Sequence, residues 1–173
     1  MNVQPVRRFV TSDDDQGRSR VVVDAPTDHA FVQEGRPVAL TDLWRMQAVP
    51  TTVDVDPPVP DGSFRLAPPS GGLVFRAVQF DPGNGDRAVD PASVFQAMGA
   101  AGSHAADPEH PFMHRTATVD FGIVLHGSIT MVLDLERVEL AAGDIVIQRG
   151  TNHEWRNEGD EPCTVLFVLV DAG

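Results

Sequence analysis

Three side chains able to carry a proton or hold a metal stand out in this 173-residue chain: His114, Asp120 and His153. His114, Thr116, Thr118 and Asp120 share parity, so an extended segment turns all four to one face. His153, Trp155 and Asn157 share parity on a second segment. Two imidazoles and one carboxylate converging from neighbouring strands suit a divalent transition metal. Within that set, His153 and Asp120 are the candidate catalytic residues. Thr116 and Trp155 are candidates to touch substrate, with Trp155 as a wall of the cavity.

Such convergence requires strands. Period-two apolar patterns predict strands over Val6–Val10, Arg20–Asp24, Thr41–Val49, Leu73–Phe80, Asp120–His126, Ile129–Leu133, Val138–Leu140, Asp144–Gln148, His153–Arg156 and Thr164–Val170. Gly127-Ser128, Ala142-Gly143 and Glu158-Gly159-Asp160 supply turns between the later ones. The fold class is all-β, an antiparallel sandwich or small barrel. One short helix is expected over Pro91–Met98, with Asp90 as its N-cap. Residues 1–72 read as N-terminal strands and a proline-rich arm packing on a barrel formed by 73–173. Residues 81–113 read as a long insertion, either a lid over the site or a contact with a second subunit.

Composition narrows the chemistry. Twenty-five acids against thirteen bases give a net charge of −12, which argues against nucleic acid or an anionic membrane as partner. All thirteen bases are arginine and there is no tyrosine, so Schiff-base lysine chemistry and tyrosine acid–base chemistry are excluded. The single cysteine, Cys163, begins an apolar strand and reads as core. Residues 1–10 lack an apolar run of the secretory type, and the longest apolar run, Cys163–Val170, is too short to span a bilayer, so a cytoplasmic location is expected. Asp13-Asp14-Asp15 reads as a solvated turn.

The stretch from His114 to Asn157 resembles the cupin superfamily, antiparallel barrels of jelly-roll type. In the first cupin motif His114 stands at the first histidine, Thr116 at the second, Asp120 at the acid and Gly127 at the closing glycine. In the second, Gly143, Gly150, His153 and Asn157 match, and Gln148 replaces the proline. The resemblance implies a double-stranded β-helix and a metal held by histidines and an acid inside the barrel: Fe, Mn, Ni, Cu or Zn. Carried over, the ligands are His114, Asp120 and His153, the facial set of non-haem Fe(II) enzymes. The alternative is a metal-free barrel using the same three residues as acids, bases or hydrogen-bonding groups.

The resemblance further implies a small-molecule enzyme acting on an oxygen-rich or dicarbonyl-type metabolite, as a lyase, dehydratase or isomerase. A dioxygenase and a non-catalytic ligand-binding barrel are the alternatives. It also implies a homodimer formed through the N-terminal strands. Among the remaining side chains, His110 is an auxiliary candidate for the missing second histidine. Arg76 and Gln79 on the strand Leu73–Phe80 are candidates for orienting substrate. Arg115 and Arg149 face outward, His126 lies at the rim, His104 in solvent, and His29 has no visible partner.

Overall fold

Alternation of apolar and polar side chains makes most of the chain half-buried strand. The computed structural model describes residues 1–32, 35–53, 64–84, 89–105 and 109–173. In chain order it contains β1 (Arg7–Asp13), β2 (Ser19–Pro26), β3 (Ala30–Val32), β4 (Val38–Met46), β5 (Leu73–Phe80), α1 (Pro91–Ala97), a 3₁₀ turn at Ala101–Ser103, β6 (Thr118–His126), β7 (Ser128–Val132), β8 (Arg137–Ala141), β9 (Ile145–Arg149), β10 (Glu154–Arg156) and β11 (Cys163–Asp171). A six-stranded sheet in the order β3-β4-β5-β11-β6-β9 and a three-stranded sheet β10-β7-β8 enclose the core, while β1 and β2 pair only with each other. All pairings are antiparallel, as in a jelly-roll barrel. Among the described residues, no helix is long and apolar enough to cross a membrane.

The alternation decides which residues face inward. On β11 these are Cys163, Val165, Phe167 and Leu169, and on β5 they include Val74, Arg76, Val78 and Phe80. On β6 they are Thr118, Asp120, Gly122 and Val124, so the strand's polar residues are carried into the core with the apolar ones. Phe167 pairs across to Gly122, and a Cβ there would lie 2.9 Å from its ring. The glycine therefore leaves room for an aromatic wall. Gly127, between β6 and β7, has φ +74° and would drive a Cβ to 2.7 Å from the Pro162 carbonyl. Only glycine meets both demands of that turn.

Helix α1 begins as expected, with the Asp90 carboxylate accepting from the amides of Ala92 and Ser93. It buries Val94 and Phe95, and the Leu66 amide donates to the Met98 carbonyl at 3.0 Å. The helix thus packs as a wall of the barrel. At the opposite end of β10, Asn157 donates to the carbonyls of Phe80 and Glu161 at 2.8 and 2.7 Å. These bonds tie the turn after β10 to the end of β5.

Several strand bounds differ from expectation: the strand expected over Val6–Val10 runs over Arg7–Asp13, and that over Asp120–His126 starts at Thr118. The strand expected over Thr41–Val49 runs over Val38–Met46, because the buried run Val38–Leu40 continues the pairing with β5 and residues 47–50 are exposed. The short β3 carries too few residues for a periodic signal. Strands β3 and β4 belong to the six-stranded sheet itself, so that sheet draws on residues before 73. Much of the proline-rich arm, residues 54–63, lies outside the described residues.

Candidate active site

His114 and His153 meet because their backbones pair. The His114 amide donates to the His153 carbonyl at 2.9 Å and the reverse bond is 3.0 Å, an isolated antiparallel bridge. Directly opposed residues of this kind put their side chains side by side, and the ring centroids are 4.3 Å apart. Nδ1 of His114 donates to the Phe112 carbonyl at 2.9 Å, and Nδ1 of His153 donates to the Thr151 carbonyl at 3.0 Å. A carbonyl can only accept, so both rings carry their proton on Nδ1 and keep a lone pair on Nε2. Burial lowers the pKa of both, and the neighbouring His153 ring pushes His114 further down. Both imidazoles are therefore neutral near pH 7.

Asp120 borders the same cavity from the inward face of β6. Burial lifts its carboxyl from 3.8 to about 6, against the opposing pull of the Thr118 hydroxyl and the Arg76 charge. Its Oδ1 has no hydrogen-bond partner among the described residues. Thr116 and Thr118 are joined hydroxyl to hydroxyl at 2.7 Å, so a short polar chain leads from Thr116, just before β6, through Thr118 to Asp120. A buried carboxylate poised near neutrality suits proton transfer.

Arg76, on β5 two strands from Asp120 in the same sheet, is 1% exposed. Its Nε donates to Asp42 at 2.5 Å, and its terminal nitrogens donate to the carbonyls of Leu66 and Arg65 at 3.0 and 2.7 Å. A buried cation persists only with such partners. Around these polar groups stand Phe80, Phe95, Phe112, Trp155 and Phe167, enclosing a cavity of about 80 Å³. That is room for roughly six waters, or a small metabolite.

The residues expected at the site divide as follows. His114, Thr116, Asp120, His153, Trp155 and Arg76 all border the cavity. Gln79 does not. It sits three residues from Arg76, hence on the other face of β5, where its side chain accepts from the Gln4 amide and donates to Asn2 and Asp81. His110 lies beside the buried Glu154, its Nδ1 3.5 Å from the carboxylate, and does not border the cavity. His104 is not simply solvated, since it stacks on Phe95 at 5.1 Å and its Nε2 donates to the Pro111 carbonyl. His29 has neighbours too, with Asp42 at 3.7 Å and the Phe64 ring at 5.5 Å. Arg115, Arg149 and His126 are exposed, and Cys163 is buried, its thiol pushed up to about 11 by burial.

Sequence reasoning missed Arg36, whose guanidinium carbon lies 3.9 Å from the centroid of the Phe112 ring at the cavity wall. It comes from the segment before β4, and no local pattern links it to His114. Phe112 was within reach of the parity argument, since it shares the even-numbered face with His114 and Thr116.

The expected three-ligand metal set is not assembled. Among the described residues no three of His, Cys, Asp and Glu come together as a metal-holding group. His114 and His153 present adjacent lone pairs with their tautomers held by carbonyls, as metal-binding histidines do. Asp120 lies further along β6, paired opposite Gln148 of β9, and does not join them. Two protein ligands fall short of the three that catalytic transition-metal sites ordinarily use, so the chemistry below is derived from the chain's own groups.

The family model for the cupin domain matches residues 101–169, a span that holds His114, Asp120 and His153. Phomopsin biosynthesis cluster protein C′ of Diaporthe leptostromiformis is 34% identical over 177 residues, covering 95% of this chain and 78% of that protein. The chain belongs to the cupin superfamily. A second relative of this cupin, the cupin-domain-containing oxidoreductase srdB of Neurospora crassa, is 27% identical over 168 residues, covering 95% of this chain and 72% of its own. The cupin-domain-containing oxidoreductase fogC of Aspergillus ruber is 44% identical over 65 residues, covering 35% of this chain and 32% of its own.

Proposed function

We propose that this cupin is an enzyme that moves a proton on a small oxygen-bearing metabolite, in a lyase- or isomerase-type reaction. The observation carrying this reading is the placement of two neutral imidazoles and one carboxylate of raised pKa in a single aromatic-walled cavity. Asp120, largely ionised at pH 7, takes a proton from a carbon acid. Nε2 of His153 accepts a hydrogen bond or proton from a substrate hydroxyl. The Arg76 charge stabilises the oxyanion that develops as the carbon proton leaves. The apolar walls exclude water, which strengthens each of these interactions.

Proton transfer can be measured without identifying the product. Small hydroxy, keto and β-dicarbonyl compounds are incubated with the protein in D₂O, and deuterium uptake at carbon is followed by NMR. Catalysed exchange should fall by about a hundredfold or more in His153→Ala and in Asp120→Asn, while the folded signal of both variants persists. Unchanged exchange in both variants refutes the site assignment.

A second reading, oxidation, is favoured by the names of the relatives, several of which are called cupin-domain-containing oxidoreductases. Oxygen consumption or nicotinamide turnover without deuterium exchange would select it over proton transfer.

A further inference from the structure

Two guanidinium groups border the cavity, and they differ in how fully they are used. Arg76 is held by Asp42 and two carbonyls. Arg36 is half-buried, its plane packed against the Phe112 ring, and its buried Nε has no hydrogen-bond partner among the described residues. Leaving a cationic donor buried without an acceptor is costly. Burial draws its pKa down to about 10, with the charge of Glu154 opposing that shift. Asp120 is the carboxylate on the cavity wall, and it is itself raised. The lining carries two guanidinium groups against this one carboxylate, and Asp42 already pairs with Arg76, so Arg36 is the lining cation left to meet an incoming anion.

We infer that the cavity takes a short unsaturated carboxylic acid, whose carboxylate docks on Arg36 and whose hydrocarbon part lies among Phe80, Trp155 and Phe167. This rests on the reading of the cavity as the substrate site. The planar guanidinium fork matches a carboxylate in two parallel hydrogen bonds. A doubly charged, strongly hydrated phosphate suits these walls poorly, because most of the lining is aromatic or aliphatic. The volume of about 80 Å³, room for roughly six waters, limits the ligand to about six non-hydrogen atoms, the size of crotonate. Docked on Arg36, the acid's neighbouring carbons lie in the same cavity as Asp120 and His153.

The full chain is titrated by calorimetry with crotonate, acrylate, crotonamide and inorganic phosphate. At least one of the two carboxylates should bind saturably, with crotonamide and phosphate at least tenfold weaker. Arg36→Met should weaken carboxylate binding at least tenfold, and Arg36→Lys, which keeps the charge and loses the fork, should fall between. If Arg36→Met does not fold, the Arg36→Lys variant and the crotonate-to-crotonamide ratio decide alone. Equal binding of crotonate and crotonamide, wild-type affinity in Arg36→Met, or no binding of either carboxylate overturns the inference. The two readings fail separately. A chain that binds crotonate through Arg36 and exchanges no proton loses only the enzyme reading. A chain that exchanges protons on neutral compounds and binds no carboxylate loses only the anchor.

Discussion

Asp120→Asn should make the protein more stable at pH 8 while removing its chemistry. The wild-type carboxyl titrates at about 6 in the folded state against 3.8 ordinarily. The folded chain therefore holds this proton more tightly than the unfolded chain between those two values. Stability is greatest below pH 4, is lost as pH rises through 4 to 6, and stays lost above that. At about 1.36 kcal/mol per pH unit, the rise amounts to about 3 kcal/mol charged against the ionised form. Asparagine has nearly the same shape, can still accept from the Thr118 hydroxyl, and carries no charge to desolvate. Its gain over wild type should approach 3 kcal/mol at pH 8 and vanish near pH 4. For a chain of this length that corresponds to a rise in Tm of about 6–12 °C at pH 8. Urea unfolding of both proteins at pH 4 and pH 8 measures it, provided both transitions are two-state with equal slopes. An Asn variant that is no more stable at pH 8, or equally more stable at both, refutes the account of Asp120 as a buried carboxylate kept for function at the expense of stability.

The imidazoles give a spectroscopic prediction: long-range ¹⁵N–¹H spectra at pH 7 should show His114 and His153 neutral with the proton on Nδ1. Protonated rings, or Nε2–H tautomers, would show that the carbonyls of Phe112 and Thr151 do not hold them. Because both pKa values are lowered, these histidines withhold protons that the unfolded chain takes up below about 6.5, and replacing either with glutamine should reduce the loss of stability on acidification below that pH. Metal analysis should find that transition metal added to the protein is removed by dialysis against chelator, as expected for two protein ligands. One full equivalent that survives the chelator and is lost in His114→Ala would show that Asp120 or another donor completes the set. We further expect a homodimer at micromolar concentration by light scattering, built on β1, β2 and the outward row of Phe121, Ile123, Leu125, Ile145 and Ile147, which is 38–66% exposed and reaches the sheet edge at β9. Ile147→Glu should shift it towards monomer, and a monomeric wild type would refute the expectation.

Local periodicity determined a good deal by itself. The alternation of the segment leading into β6 put Thr116, Thr118 and Asp120 on one face, since successive side chains on a strand have only two faces to choose from. Asp90 and Pro91 announced the start of α1, and Gly127 the tight turn after β6, because caps and left-handed turns depend on chemistry within a few residues. His114 and His153 were legible as partners through their places in the two motifs.

Tertiary structure decided the rest, where the deciding contact joins segments distant in the chain. Arg36 reaches the cavity because the segment before β4 passes beside Phe112, and nothing near it in sequence marks it as a site residue. Alternation already puts Gln79 and Arg76 on opposite faces of β5, but only the fold shows that the one meets the N-terminal arm and the other Asp42. His29 and His104 acquired ring partners from Phe64 and Phe95 in the same way. Whether Asp120 joins the two imidazoles depends on distances of a few ångströms between neighbouring strands. Spacing in sequence sets which face a side chain takes. The pairing of strands sets how near it comes to the next one.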